Sequence, residues 1–248
     1  MTTIHVGTSG WGYKDWKEDF YPSFFQSRDY LAYYSQFFKS VEINSSFYHL
    51  PLLKTVENWT NMVPDDFKFC PKMSRYVTHY NKLINVEEPL QRFFEVFKYM
   101  HNKLGPILLQ LPSSVAFDLL IIEDFFKLLL NKYNSYQFAC EARHISWYTP
   151  EAIGLLKKYN IILVTSHSDG RFPYSEEVTS KEVYYRFHGP ETLYSSNYDE
   201  EILKKYANQF LKLINGGHNV WVFFNNTMYI YGLENAMTIQ ELAEGKNQ

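Results

Sequence analysis

The sequence predicts an α/β fold: a single TIM (β/α)8 barrel of eight parallel strands spanning residues 1–248. Three observations carry this. Eight short apolar, β-rich runs occur, helical patterns fill most of the gaps between them, and the runs start 22 to 39 residues apart, the length of a repeated βα unit. An open doubly wound sheet is the alternative, but no GxGxxG or P-loop follows any run.

In order, the runs are Ile4 to Thr8, Val41 to Asn44, Phe67 to Pro71, Pro106 to Leu111, Tyr136 to Glu141, Ile161 to Thr165, Val183 to His188 and Asn219 to Phe224. The intervening helical patterns cover Asp29 to Phe38, Leu52 to Met62, Pro89 to Lys103, Leu119 to Tyr133, Pro150 to Tyr159, Asp199 to Ile214 and Leu233 to Glu244. Thr149 before Pro150 and Glu151 is an N-cap followed by proline at the first helical position, and Asp199 with Glu200 and Glu201 loads a helix start with negative charge. Gly216 and Gly217 end that helix. The stretch after the sixth run holds Gly170 and Pro173 with little helical periodicity, so the helix there is expected to be reduced or missing.

At 248 residues, 46% apolar and 21% charged, the chain can bury a full core, which excludes a disordered, collagen-like or coiled-coil protein. A net charge of −3 supplies no global basic field for nonspecific nucleic-acid binding. The most apolar stretch, Phe117 to Leu130, is interrupted by Asp118, Glu123, Asp124 and Lys127 and is too short to span a membrane. With no basic and apolar leader at the N-terminus, a soluble, cytoplasmic protein is expected. Cys70 and Cys140 lack any metal or redox spacing and are expected as reduced, buried thiols facing opposite ways.

Alternation along each strand divides the side chains between the helices and the interior. Val41 and Ile43 toward the helices turn Glu42 and Asn44 inward; Phe67, Phe69 and Pro71 turn Lys68, Cys70 and Lys72 inward. The same parity sends His5 and Ser9, Gln110, Glu141 and Arg143, Arg186 and His188, and Trp221, Phe223 and Asn225 to the interior. Polar groups therefore accumulate at the C-terminal strand ends, where barrel enzymes carry their active sites. Buried charges are costly unless paired, so this many polar ends are not expected by accident. Glu42 and Glu141 stand against Lys72, Arg143 and Arg186, and this positive balance favours a small anionic ligand, a phosphate or carboxylate. The competing reading makes the same five residues a stabilising ion-pair network.

Across the chain, GTSGWGYKDW (7–16), VEINSSFYHLP (41–51), Lys72 with Thr78 and His79, KLGPILLQLP (103–112), EARHISW (141–147), YRFHG (185–189) and FFNNT (223–227) together resemble the YecE-like family, domain of unknown function 72. The resemblance implies a TIM barrel and a location for chemistry rather than a reaction. Its motifs fall on Ser9, Trp11, Glu42, Asn44, Tyr48, Lys72, His79, Gln110, Glu141, Arg143, His144, Trp147, Arg186, His188, Asn225 and Asn226.

Three function classes are open. The first is an enzyme on a phosphorylated or carboxylated small molecule. Glu141, His188 and Glu42 would exchange protons while Lys72, Arg143 and Arg186 clamp the anion. Ser9, Asn44, Gln110, Asn225 and Asn226 would give polar contacts, and Trp11, Tyr48 and Trp147 aromatic walls. The second is a nucleic-acid-processing barrel resembling endonuclease IV in fold, stacking an unpaired base on that aromatic wall. The third is a noncatalytic sensor or interaction protein. No cofactor is specified; a divalent metal, if held, would take Glu42, Glu141, His188 and Asp169, although Lys72 and Arg186 beside them oppose a dication.

Overall fold

The computed structural model describes residues 2–245 and has an α/β architecture dominated by parallel strands. Six strands form one parallel sheet in the order β1, β8, β7, β6, β5, β4: Ile4–Thr8 (β1), Ile107–Leu111 (β4), Phe138–Ala142 (β5), Ile162–His167 (β6), Glu182–Phe187 (β7) and Asn219–Phe224 (β8). A second parallel pair joins Ser40–Ile43 (β2) to Lys68–Pro71 (β3). The sheet is thus divided six and two, where the sequence predicts one uninterrupted ring.

The interruption between β1 and β2 has a physical cause. Between β1 and β2 the Tyr34 hydroxyl accepts from Thr8 N (2.9 Å) and donates to Ser40 O (3.2 Å), standing in for ladder hydrogen bonds. A Cβ at Gly7 would lie 2.0 Å from Ser40 O, so only glycine lets the two strands approach there. Single bridges remain at the junctions: Ser9 with Glu42, and Phe69 with Leu104 and Lys72 with Leu108 beside β4.

The helices are Tyr30–Tyr34 (α1), Ser45–Tyr48 (α2), Leu53–Met62 (α3), Glu87–Phe97 (α4), Leu119–Tyr133 (α5), Pro150–Lys158 (α6), Glu200–Asn215 (α7) and Tyr231–Ala243 (α8). Asp118 caps α5, accepting from Leu120 N and Ile121 N; Thr149 caps α6 through Ala152 N and Asp199 caps α7 through Ile202 N. The run predicted as one helix to Lys103 leaves α geometry at Phe97 and continues as a tighter 3₁₀ segment, interrupted at Met100. The helix predicted to end at Phe38 stops at Tyr34. No helix lies between β6 and β7, as the glycine and proline there predict. Among the described residues no helix is long and apolar enough to cross a membrane.

Strand alternation sorts the apolar side chains into two cores. The larger one includes Val41, Ile43, Phe69, Ile107, Leu109, Phe138, Cys140, Val183, Tyr185, Val220 and Val222 against the helices. The smaller one gathers Cys70, Leu108, Ala139, Ile162, Val164, Tyr184, Trp221 and Phe223, drawn from both sheets. Cys70 and Cys140 are both free and buried, one in each core. The inner face of the strands is therefore an apolar waist with polar side chains at either end.

Candidate functional site

At the C-terminal end of the waist, parity brings Glu42, Glu141, Arg186 and His188 together, each at most 1% exposed. Arg186 sits between the carboxylates. Its Nε donates to Glu42 Oε1 (2.8 Å), its Nη2 to Glu42 Oε2 (2.9 Å) and its Nη1 to Glu141 Oε2. Ser9 Oγ donates to Glu42 Oε2 and the Tyr184 hydroxyl to Glu42 Oε1 (2.8 Å), so the Glu42 carboxylate is fully engaged. Arg143 closes the chain, donating from Nε (3.1 Å) and Nη2 (2.8 Å) to Glu141 Oε1. Its guanidinium lies 3.5 Å from the Phe172 ring centroid, a stacked cation–π contact contributed by the helix-free segment between β6 and β7.

Burial alone would raise the Glu141 carboxyl, but Arg186 and Arg143 hold it well below the usual carboxylate range. It is an anion across neutral pH. His188 is buried; desolvation lowers its imidazole below the ordinary value, while Glu141 pulls the other way. Asn225 Nδ2 meets His188 Nδ1 at 3.0 Å, and Nε2 lies 3.4 Å from Glu141 Oε1 without a well-aligned hydrogen bond. Nδ1 thus faces Asn225, while Nε2 lies beside Glu141 with no hydrogen-bond partner among the described residues.

Lys72 behaves differently. Its backbone is pinned at the end of β3: its N–H donates to Ile43 O (3.0 Å) and its carbonyl accepts from Ser46 Oγ (2.7 Å). The half-buried ammonium donates to Gln110 Oε1 (2.9 Å) and sits 4.2 Å from the Phe47 ring centroid. It has no carboxylate within ion-pairing distance among the described residues, whereas Arg143 and Arg186 both do. Desolvation, then the Arg186 charge, lower its pKa to about 8, against an opposing pull from Glu141 and Glu42. His79 lies beside this group, edge-on to Phe47 at 4.7 Å; burial and the charges of Lys72 and Arg143 lower it to about 4. The buried Asn44 Oδ1 and Ser166 Oγ have no hydrogen-bond partner among the described residues.

Other predicted residues fall outside this group. Trp147 is fully buried in the outer core, its indole N–H on Val115 O at 3.0 Å. Asn226 is buried too, its Nδ2 donating to Ser196 O (3.0 Å) and Asn235 Oδ1 (2.9 Å), which ties the loop after β7 to α8. Trp11 is half-buried, packed edge-on against Trp59 at 5.1 Å. Tyr48 is 57% exposed and lines a separate cavity of about 480 Å³ with Ser74, Arg75, Tyr76 and Arg92. Asp169 is exposed, with φ +50°, and its charge acts on His167 rather than on the carboxylate pair. The set Glu42, Glu141, His188 and Asp169 is consequently not assembled: among the described residues no three His, Cys, Asp or Glu side chains are grouped to hold a metal, and both carboxylates are engaged by guanidiniums. Two contributors to the site, Phe172 and Tyr184, are not among the residues the sequence singles out. Alternation already turns Tyr184 inward, whereas no periodic signal marks Phe172.

The family model described as "Protein of unknown function DUF72" matches residues 5–248. UPF0759 protein YunF of Bacillus subtilis is 25% identical, covering 97% of this chain and 95% of its own length. UPF0759 protein YecE of Escherichia coli K12 is 27% identical over 45% of this chain and 38% of its own length. Among solved structures, a DUF72 family protein from Thermotoga maritima superposes with a TM-score of 0.83 at 28% identity, covering 98% of this chain and 99% of that one. A DUF72 family protein from Enterococcus faecalis gives 0.84 at 20% identity, covering 98% and 96%. With a match that runs almost from end to end, the chain belongs to the DUF72 family.

Proposed function

We propose that the strands form one closed (β/α)8 barrel in a single domain, and that its mouth, at the C-terminal strand ends, binds a small phosphorylated or carboxylated molecule as an enzyme substrate. Closure is supported by the bridges Ser9–Glu42 and Lys72–Leu108, which span the two gaps, and by an inner core that draws on both sheets. The ligand reading rests on one observation: Lys72 is a half-buried ammonium with no counter-ion among the described residues. Glu42 and Glu141 are matched by Arg186 and Arg143, so the three cations and two carboxylates leave one positive charge, and it resides on Lys72. An anion seated against Lys72 and the outer edge of Arg143 would neutralise that charge, with Gln110, Asn44 and Asn225 as polar contacts.

In this reading Glu42 and Glu141 position guanidiniums, and His188 packs beside Glu141 with its Nδ1 against Asn225. Proton transfer then falls to groups nearer the opening, Lys72 and His79.

The test is thermal unfolding of the full chain with phosphate, sugar phosphates, dicarboxylates and short oligonucleotides. At a hundred times its dissociation constant a ligand adds about 2.7 kcal/mol, and each kcal/mol moves the midpoint by roughly 2–4 °C for a domain of this size. Small anions are expected to raise the midpoint of the wild type but not of Lys72→Met or Arg143→Ala. No shift with any anion would refute the ligand reading; a shift with oligonucleotides alone would favour a nucleic-acid substrate.

A further inference from the structure

We infer that the Lys72 side chain is the covalent nucleophile of this site, forming a Schiff base with an anionic carbonyl compound. This rests on the anion-binding reading above and deepens it, by naming both the reacting atom and the substrate class.

Three features of the geometry point there. First, Lys72 is the one cation of the cluster that is not bound to a carboxylate, so its nitrogen is not committed to an ion pair; its hydrogen-bond acceptor is the neutral Gln110 Oε1. Second, burial and the like charges of Arg186 and Arg143 disfavour the ammonium, against the pull of Glu141 and Glu42 and the cation–π contact with the Phe47 ring, whose centroid lies 4.2 Å from Nζ. A desolvated lysine beside another cation is the arrangement that yields a reactive neutral amine near physiological pH. Its lowering to about 8 agrees with that. Third, the residue keeps part of its surface in solvent. Lys72 is half-buried at the end of β3, unlike the fully buried Arg186 and His188.

The chemistry closes without a cofactor. The neutral Nζ adds to the carbonyl carbon and its proton passes to the carbonyl oxygen, giving a carbinolamine. With a proton from solvent this expels water, leaving the protonated imine. The imine retains the cation that an anionic substituent needs, and Arg143, stacked on Phe172, lies at the same rim to receive that substituent. His79, with Nδ1 2.9 Å from Thr78 Oγ1, is a neutral imidazole available beside the amine.

Reductive trapping tests this. The full chain is incubated at pH 7.5 with cyanoborohydride and one of three probes: glyoxylate, glycolaldehyde phosphate, or uncharged glycolaldehyde as a control. The hydride reduces the imine carbon and fixes a secondary amine, which peptide mapping by mass spectrometry assigns to a residue. Lys72 is expected to be labelled by the anionic probes on the order of tenfold or more faster than the exposed Lys54 and Lys132. Inorganic phosphate should slow that labelling. Lys72→Arg, which keeps the charge, should lose the fast-labelled site while retaining a phosphate-induced rise in unfolding temperature. The comparison among lysines within the wild type stands even if that variant folds poorly. If phosphate stabilises the wild type but Lys72 is labelled no faster than Lys54, the inference fails and the anion-binding reading survives. If neither phosphate stabilisation nor fast labelling is seen, both fail. Labelling of Lys72 by glycolaldehyde as fast as by its phosphate would overturn the anionic substrate class.

Discussion

The apolar waist of this protein carries a polar layer at each end, and the two differ in how they handle charge. At the N-terminal strand ends, Glu182 accepts from Asn219 Nδ2 (2.6 Å) and Trp221 Nε1 (2.7 Å), both neutral donors. His5 stacks on Trp221 at 3.9 Å and is kept neutral, its pKa lowered to about 4 by burial and then by Lys68. Lys68 itself reaches out to Asn102 O at 2.8 Å. The C-terminal end instead holds a chain of ion pairs, Glu42 to Arg186 to Glu141 to Arg143, and beside it an ammonium that the chain does not neutralise. Buried polarity is common to both ends, so it does not mark a site by itself. What separates them is the chain of ion pairs at the C-terminal end, with a further cation beside it that the chain does not neutralise.

The largest expected effect attacks the ion-pair chain. Arg186→Met strands two buried carboxylates and should cost about 3–5 kcal/mol in urea unfolding at pH 7, whereas Glu182→Gln at the opposite end, which loses one good acceptor, should cost about 1–2 kcal/mol. Equal losses would erase the distinction between the ends. Adding Glu42→Gln to Arg186→Met should recover part of the stability, because the two groups are coupled.

Lys72 gives an intermediate effect of opposite sign. Its pKa of about 8 in the folded protein lies below the ordinary value of 10.5. Below pH 8 both states carry the proton and stability does not depend on this group. Between pH 8 and 10.5 the unfolded chain holds a proton that the native amine has lost, so stability should rise with pH, on the order of 2 kcal/mol. Lys72→Met should flatten that rise relative to the wild type and be more stable by about 1–2 kcal/mol at pH 7, while losing anion binding. Equal pH dependence in the two proteins would show that the amine is not desolvated.

The smallest effect is at the rim. Phe172→Ala removes the ring beneath Arg143 and should cost about 0.5–1 kcal/mol, read from the unfolding midpoint, with a larger relative loss in phosphate affinity because Arg143 is no longer held in place. An unchanged affinity would remove Phe172 from the binding rim.

Much of this architecture is legible in the amino-acid sequence. The runs Ile4–Thr8, Asn219–Phe224 and Leu119–Tyr133 coincide with β1, β8 and α5 because alternation or amphipathic period extends to their ends. Parity places Glu42, Glu141, Arg186 and His188 together, since side-chain direction on a strand follows from two residues per repeat. It loses force once the strand ends. Trp147 lies in a 3₁₀ turn and Asn226 past the last residue of β8, and their directions are set by Val115 O and Asn235, contacts far away along the chain. The single-turn α2 and the π-helical turn Tyr76–Tyr80 are too short to leave a period, and Phe172 reaches Arg143 from a segment with no repeat at all. The charge imbalance is visible as a count of residues, but its residence on Lys72 depends on which cation reaches which carboxylate.

The opposed cysteines make the two cores separately readable in solution. Cys70 belongs to the inner core and Cys140 to the outer, and burial pushes both thiols well above their ordinary pKa. A thiol reagent can reach either sulfur only when its own layer opens, so the two modification rates, resolved by peptide, clock the loosening of the strands' interior and of the helical jacket independently, with no label introduced.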